Sequence, residues 1–363
     1  MSIIIFIIVL GVLIFVHELG HFLVAKWAKI RVDEFAIGFP PRLVSFQKGE
    51  TRYALNLIPF GGYVKIFGEN PDDASMAAGA TDSFVHRSKW IQAAVLVAGV
   101  TFNVLFAWLL FSISFMSGFP AIVTEDNAAQ VKDAQTVVTS VLPNSPASEA
   151  GLTVGDAIVM LEVPEKAILG KPSVEGVQQF IATHGTEAIT VTITRADTEQ
   201  TIVVTPSETI VADKPAIGIS MNYVGELTLG PIAALIEGAS TTGGMIRDTA
   251  VGLGTFLLDI VRGKAAFDQV AGPVGIVGLV GDASQFGFIY LLGFTAFISI
   301  NLAVLNLIPF PALDGGRLLF VLIEGITRRP IKPVVANTVN AVGFALLILL
   351  MVVITVSDVV KLF

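Results

Sequence analysis

The feature that most limits the fold of this chain is an apolar run near its start that carries three ionisable side chains. Residues Ile3 to Phe15 are apolar apart from Gly11, and Phe22–Ala25 continues the run. Between them lies Val-His-Glu-Leu-Gly-His-Phe, at Val16–Phe22. About 20 consecutive apolar residues are enough to cross a bilayer as a helix. Ionisable groups inside such a helix cost roughly 2–4 kcal/mol each and therefore indicate function.

Two histidines in this run have the spacing of metal ligands on a helix. His17 and His21 are four residues apart, and such positions share a helix face, so both imidazoles can bind one ion. Glu18 can take a proton from water held by that ion, as in zinc hydrolases with a His-Glu-x-x-His motif. The alternative, histidines packed in a protein core, is weaker inside a membrane span. The chain has no cysteine, so a single Zn²⁺ ion needs a carboxylate elsewhere as its third ligand.

The composition indicates an integral membrane protein. Of the 363 residues, 53% are hydrophobic and only 14% are charged, which is unusual for a soluble domain. The net charge of -8 leaves no basic surface for nucleic acid, so that class of partner is not expected. No basic segment precedes the first span and no small-x-small cleavage site follows it, which predicts an uncleaved span. The predicted spans are approximately Ile3–Ala25, Trp90–Phe115, Phe286–Pro309 and Val334–Val356.

The segment between the first two spans is rich in lysine and arginine. The positive-inside rule therefore places Lys26–Lys89 in the cytoplasm. Within it, Val44–Gln47 and Arg52–Ile58 have strand patterns, and Gly49 suits the turn between them. The glycine-rich stretch Pro59–Val64 that follows either re-enters the membrane beside the histidines or forms a plain hairpin at the cytoplasmic surface.

A soluble, β-rich module is predicted between the second and third spans, at residues 120–225. Its most specific piece is Val141–Asp156. There Pro-x-Ser-Pro-Ala opens a helix, and Ala-Gly-Leu-x-x-Gly-Asp leads from that helix into a strand. This pattern resembles a bacterial PDZ domain, a fold that accepts an extended peptide by strand addition. A peptide ligand of the module is therefore expected.

Residues 226–285 form a mixed segment, which we interpret as an interfacial linker with amphipathic helices. Gly252–Val261 is apolar but too short to span the membrane. Gly272–Gly275 is expected to be a turn or a helix break before the third span. A further span at Gly230–Ile246 would move the next motif to the opposite face of the membrane, and its polar residues argue against one.

The end of the third span supplies the candidate third ligand. Asn306–Arg317 reads Asn-Leu-Ile-Pro-Phe-Pro-Ala-Leu-Asp-Gly-Gly-Arg, and its prolines and glycines break the helix so that Asp314 can turn inward. The lysine and arginine clusters put this motif and the two histidines on the cytoplasmic side at similar depth. Asp-Gly is also common as a simple turn, and Glu324 is a second candidate carboxylate.

Two asparagines within the spans are candidates for contact with a substrate. Asn306 lies about two turns before Asp314 and can bond the freed backbone of an unwound substrate. Asn103, in the second span, can line the same cavity. For both residues the alternative is a hydrogen bond between helices that only packs the bundle.

Together these motifs resemble the site-2 protease family, and most closely its bacterial RseP-type group. The resemblance rests on His17–His21, Ile58–Lys65, the PDZ-like module and Asn306–Arg317, in that order over nearly the whole chain. It implies zinc-dependent proteolysis within the membrane. It also implies the following roles: His17, His21 and Asp314 as metal ligands, Glu18 as the catalytic residue, Asn306 in substrate handling, and the Gly61-Gly62 segment as a membrane-re-entrant hairpin.

The resemblance has two departures. The best-known RseP-type enzymes carry tandem PDZ modules, and only one is visible here. The family often has Gly-Pro-x-x-Asn in its second span, where this chain has Gly99 followed by Val100 and keeps Asn103.

The sequence therefore predicts a polytopic α-helical membrane protein of about four spans, with a membrane-associated β-hairpin region and one inserted PDZ-like α+β domain. The expected parts are residues 1–119, 120–225, 226–285 and 286–363. The expected location is the bacterial inner (plasma) membrane, with the active site toward the cytoplasm and the PDZ-like module outside. The expected partners are lipid and single-span membrane proteins, such as anti-sigma factors or remnant signal peptides. A non-catalytic receptor that captures peptides through the PDZ-like module is the alternative, and a metal transporter is a third possibility.

Overall fold

A computed structural model of the protein describes residues 1–69, 81–125, 127–185, 187–195, 198–211, 214–264 and 271–360. The chain divides into two compact units. The membrane unit comprises Met1–Ser114 and Ile232–Phe363, and the β-rich unit comprises Phe115–Pro231. The sequence predicts a small, polar connection at Asn70–Ser83, of which residues 70–80 lie outside the described ranges.

The elements of both units are numbered here in chain order. The α-helices are α1 (Ser2–Trp27), α2 (Lys89–Met116), α3 (Pro146–Ala150), α4 (Val174–Thr183), α5 (Pro231–Val261), α6 (Pro273–Gln285), α7 (Phe288–Leu307), α8 (Asp314–Thr327) and α9 (Pro333–Val360). The strands are β1 (Val32–Lys48), β2 (Thr51–Ile66), β3 (Phe119–Ile122), β4 (Val131–Val141), β5 (Ala157–Val163), β6 (Ala167–Gly170), β7 (Ile189–Arg195), β8 (Thr198–Val204), β9 (Ser207–Val211), β10 (Lys214–Ala216) and β11 (Ile219–Leu227).

The predicted spans are confirmed as helices. Within the described ranges, α1, α2, α7 and α9 are the four helices long and apolar enough to cross a membrane. A helix satisfies all its backbone hydrogen bonds internally, which is the requirement that hydrocarbon imposes on a spanning segment. The helix predicted to break near Asp314 does so, since α7 ends at Leu307 and α8 begins at Asp314.

The region before α7 differs from the expectation. Gly252–Val261 is not a separate short helix but the end of α5, which runs without interruption for 31 residues. Its glycines cost about 1 kcal/mol each, too little to stop a helix of that length. The expected break at Gly272–Gly275 is instead the start of α6, with Pro273 in its first turn. Asp358 of α9 accepts a hydrogen bond from the Gly275 amide at 2.8 Å, and thereby caps α6 from outside.

Two long strands follow α1 and return to it. β1 and β2 are joined near Gly49, whose φ of 63° suits the tight turn, and both extend well beyond the short strands that were predicted. Phe35 of β1 is paired with both Tyr53 and Val64 of β2, so the first half of β1 lies between two stretches of β2. Phe35 and Val64 are buried in one cluster with Ala25 of α1 and side chains of α2. This burial holds the end of β2 against α1, which carries the two histidines, and against α2.

The β-rich unit is built on a seven-stranded sheet. Its strand order is β3-β11-β4-β5-β7-β8, with β6 beside β5. Inward-facing residues of β5 and β7 alternate along the strands and form the core with α3 and α4. The predicted helix at Pro146 is confirmed as α3: Ser145 caps it by accepting from the Ser148 amide at 3.3 Å, and Gly151, with a φ of 88°, ends it.

A buried ion pair ties the strand after α3 to β7. The Asp156 side chain is almost fully buried, and its two oxygens accept from Nε and Nη2 of Arg195 at 2.7 Å each. Arg195 also donates to the Gly151 carbonyl at 2.8 Å, and Asp156 accepts from the Thr153 amide at 2.8 Å. The Asp156 carboxylate raises the pKa of Arg195 above its ordinary value. The last residue of the Gly-Leu-x-x-Gly-Asp pattern, Asp156, is thus part of the packing of this unit.

Replacing Asp156 with alanine should destabilise the β-rich unit by about 2–3 kcal/mol, because it strands a partly buried guanidinium and the Thr153 amide. Pulse proteolysis of the full chain in detergent, across a urea series, measures this loss. Lys166→Ala is the matched control, since it removes an exposed ion pair with Glu187 and should change little. Equal midpoints for the two variants would contradict the assignment.

Candidate metal centre

Three potential metal ligands meet inside the membrane unit. His17 and His21 project from α1, and Asp314 is the first residue of α8. The Asp314 Oδ2 atom lies 3.0 Å from Nε2 of His17 and 3.2 Å from Nε2 of His21, and the two nitrogens are 3.2 Å apart. The three side chains are only 9–20% exposed. Within the described ranges this is the group that could hold a metal ion.

The spacing of these three atoms fits a tetrahedral zinc ion. Ligand atoms that lie about 2.0–2.2 Å from such an ion stand about 3.3–3.6 Å from one another. The observed separations of 3.0–3.2 Å are close to that range. Two imidazoles and one carboxylate form a ligand set of catalytic zinc sites, which keep one further position for water. The donor set and its spacing therefore suit catalytic zinc.

Close packing at two glycines places Asp314. The chain leaves α7 at Leu307 and passes through Ala312, whose φ of 74° marks a sharp turn. A Cβ at Gly315 would lie 2.5 Å from the Leu307 carbonyl carbon, and one at Gly316 would lie 2.7 Å from the Phe310 carbonyl carbon. No side chain fits there, so the first turn of α8 lies directly against the end of α7. The Asp-Gly-Gly sequence thus positions the carboxylate as well as breaking the helix.

Two further glycines place the histidines against α2. A Cβ at Gly20 would lie 2.5 Å from the Ala98 carbonyl oxygen, so α1 and α2 are in backbone contact there. A Cβ at Gly99 would lie 2.7 and 2.8 Å from Cε1 and Nε2 of His17, and closer still to Nε2 of His21. Because Gly99 has no side chain, both rings can pack directly against the backbone of α2 there.

Glu18 lies between two cavities that meet at the ligand group. One has a volume of about 140 Å³ and a polar lining that includes Tyr63, Glu69 and Arg317. Glu69 and Arg317 form an ion pair beside the site. The other has a volume of about 250 Å³ and adds apolar residues such as Leu13 and Leu302. A carboxylate in this position faces a polar cavity on one side and a cavity of mixed polar and apolar lining on the other.

The residues predicted to contact a substrate all line the second, more apolar cavity. They are Gly61, Gly62, Asn103 and Asn306. At Gly62, β2 passes close to α1: a Cβ there would lie 3.0 Å from Cγ2 of Ile14 and 3.4 Å from Cγ of Glu18. Asn103 is fully buried and Asn306 partly exposed. The cavity thus combines a main-chain edge, side-chain amides and the ligand group.

Sequence reasoning missed three residues of the polar cavity, Tyr63, Glu69 and Arg317. Tyr63 and Arg317 stand in the glycine-rich motifs that were noticed, whereas nothing in the sequence marked Glu69. The alternative carboxylate Glu324 is engaged elsewhere, because it binds Lys89 at 2.6 Å and accepts from the Ile331 amide at 2.8 Å.

Comparisons with known proteins cover nearly the whole chain. The model of peptidase family M50 matches residues 5–350. A Clostridium acetobutylicum protein, provisionally named a zinc metalloprotease, is 34% identical over 359 residues, covering 99% of this chain and 97% of its own. The zinc metalloprotease RasP of Geobacillus kaustophilus is 30% identical, with 100% and 98% covered. RasP of Bacillus licheniformis is 28% identical, with 100% and 99% covered.

The family match and these relatives agree with the geometry of the ligand group, in that a His-His-Asp site suits a metallopeptidase. The matches also span both motifs and the β-rich unit between them. The chain therefore belongs to peptidase family M50, the site-2 protease family.

Proposed function

We propose that this M50 peptidase is a zinc metalloprotease that hydrolyses peptide bonds within or near the transmembrane segment of single-span membrane proteins. The observation that carries the proposal is the position of the His17, His21 and Asp314 group. It lies among apolar helices, with Glu18 beside it and a cavity on either side. Membership of a peptidase family supports the reaction class, and the names of the relatives support zinc.

Glu18 is the general acid–base of the proposed reaction. Zinc held by His17, His21 and Asp314 would supply Lewis acidity, which makes water easier to deprotonate and polarises a scissile carbonyl. Glu18 takes the proton of the attacking water and later delivers it to the leaving amine. The polar cavity at Glu18 is the route by which water reaches a site that is otherwise surrounded by apolar side chains.

The more apolar cavity is the proposed substrate site. A helical substrate has its amides bonded internally, so it must unwind before a peptide bond can be attacked. Gly61 and Gly62 offer a main-chain edge for an extended segment, and the Asn306 amide can bond backbone groups that unwinding has freed. Because these residues have no side chain, this edge can lie close to Glu18: a Cβ at Gly62 would be only 3.4 Å from Cγ of Glu18.

The wider context of the protein follows from the same proposal. The lysine and arginine clusters support a multi-pass protein of the bacterial plasma membrane, with its active site toward the cytoplasm. The β-rich unit, predicted at 120–225, is then an extracytoplasmic PDZ-like domain that binds a peptide or filters substrates by size. The candidate substrates are anti-sigma-factor-like proteins and remnant signal peptides, as in regulated intramembrane proteolysis. A non-catalytic receptor is not favoured, because it would not require Glu18 beside a complete ligand group.

Glu18→Gln should lower the cleavage rate of a tagged single-span substrate by about 100- to 10,000-fold, because glutamine cannot accept the proton. Zinc content should stay at the wild-type level, since Glu18 is not a ligand. The measurement is single-turnover cleavage in proteoliposomes beside metal analysis of the same preparation. Unchanged cleavage would remove Glu18 from its proposed role.

Asp314→Ala should lower zinc affinity by more than about 100-fold, a larger loss than removal of an outer-shell partner causes. Metal analysis after dialysis against a weak chelator measures the change. Glu324→Gln is the control, because that carboxylate binds Lys89 instead, and it should keep its zinc. Zinc retained by the Asp314 variant and lost by the Glu324 variant would reverse the assignment of the third ligand.

A further inference from the structure

Both histidines contact α2, at positions eight residues apart along that helix. His21 donates from Nδ1 to the Val95 carbonyl at 2.8 Å. His17 has its own Nδ1 atom 3.3 Å from the side-chain amide of Asn103. Gly99, midway between Val95 and Asn103, packs against both rings. One face of α2 thus contacts the outer edge of each imidazole, while their Nε2 atoms point to Asp314.

The two contacts differ in the direction of the hydrogen bond. The Val95 carbonyl accepts a hydrogen bond from Nδ1–H of His21. The proton of the neutral ring is therefore on Nδ1, and Nε2 keeps the lone pair that can bind a metal. At His17 the contacting atom is Nδ2 of Asn103, a donor, which would leave the proton on the Nε2 that faces Asp314. The Asn103 Oδ1 atom, meanwhile, is buried and has no hydrogen-bond partner among the described residues. A 180° turn of the amide exchanges the two atoms and presents Oδ1 to His17.

We propose that Asn103 is the positioning residue of His17: when the metal is bound, its Oδ1 accepts a hydrogen bond from Nδ1–H of that ring. This bond selects the tautomer with a free lone pair on Nε2 and fixes the plane of the ring. His17 then has an acceptor for its Nδ1–H group, as His21 has in the Val95 carbonyl. Asn103 then serves the metal centre rather than the substrate, and the inference rests on the proposed metal ligands.

The surroundings of Asn103 hold it in place for this role. The residue is fully buried, and its backbone carbonyl accepts a 2.8 Å hydrogen bond from Oγ of Ser299, a fully buried residue of α7. The turn of α2 that carries Asn103 is therefore tied to α7. Outer-shell acceptors of this kind orient metal-bound histidines, and their loss typically costs 10- to 100-fold in metal affinity.

The test compares zinc affinity of the full chain in detergent, measured by competition with a chromophoric chelator. Asn103→Leu keeps the volume and removes the acceptor, and we expect affinity to fall by about 10- to 100-fold. Asn103→Asp keeps an acceptor and should stay within about threefold of wild type. Asn301→Leu is the matched control, because that mid-span amide donates to the Phe297 carbonyl of its own helix, and its affinity should not change.

A second readout separates positioning from folding. The visible absorption of the Co²⁺-loaded protein should change with Asn103→Leu and not with Asn103→Asp. Only the leucine variant loses the hydrogen bond that orients the His17 ring. If the leucine variant is not monodisperse, Asn103→Ala is measured instead, because alanine is smaller than asparagine and cannot clash with its neighbours.

The outcomes distinguish this inference from the proposed function. Wild-type zinc affinity in the leucine and alanine variants, or an equal loss in the aspartate variant, would overturn the positioning role alone. A wild-type protein that binds no zinc would instead overturn the metal centre itself.

Discussion

The membrane unit depends on bringing three ligand atoms to within 3.0–3.2 Å of one another inside an apolar bundle. Two of these atoms come from one helix and are related simply by its period. The third comes from a residue 297 positions away from His17, so the fold must deliver it. Lone pairs at this spacing repel one another unless a proton or a cation lies between them. A bound zinc ion would therefore stabilise this convergence.

Backbone contact is the means by which the fold delivers these groups. At Gly20 and Gly99 it lets α1 and α2 approach until the imidazoles pack against the backbone of α2. At Gly315 and Gly316 it sets the start of α8 against the end of α7 and the connection that follows it. Small residues have this role widely in membrane bundles, where lipid removes the hydrophobic drive for helix association and close contact replaces it. A methyl group at any of the four positions would meet main chain or a ligand ring. These glycines therefore shape the candidate metal centre as much as the candidate ligands do.

The parts of the structure that local patterns specify could be predicted from sequence, and the parts that depend on meeting distant elements could not. The spans were evident from apolar runs, and α3 from its Ser145 cap and Gly151 terminus. The length of β1 and β2 was missed because their pairing is non-local: Phe35 lies between Tyr53 and Val64 and takes its place from both. The continuity of α5 was missed because polar residues and glycines were given more weight than helix length. Glu69 was invisible because only its pairing with Arg317 brings it to the site.

Charge balance explains how so many ionisable groups can sit in one apolar unit. An isolated charge within the membrane costs several kcal/mol, and a pair costs far less when each charge meets its opposite. In the proposed site, two neutral imidazoles, a divalent cation and the ionised carboxylates of Asp314 and Glu18 would sum to zero. The Glu69–Arg317 pair beside them is neutral as well, so the polar cavity can hold water without a net charge. The proposed hydrolysis of bonds within lipid favours this neutrality, because a site with a net charge would draw in counter-ions and deeper water instead of an apolar substrate.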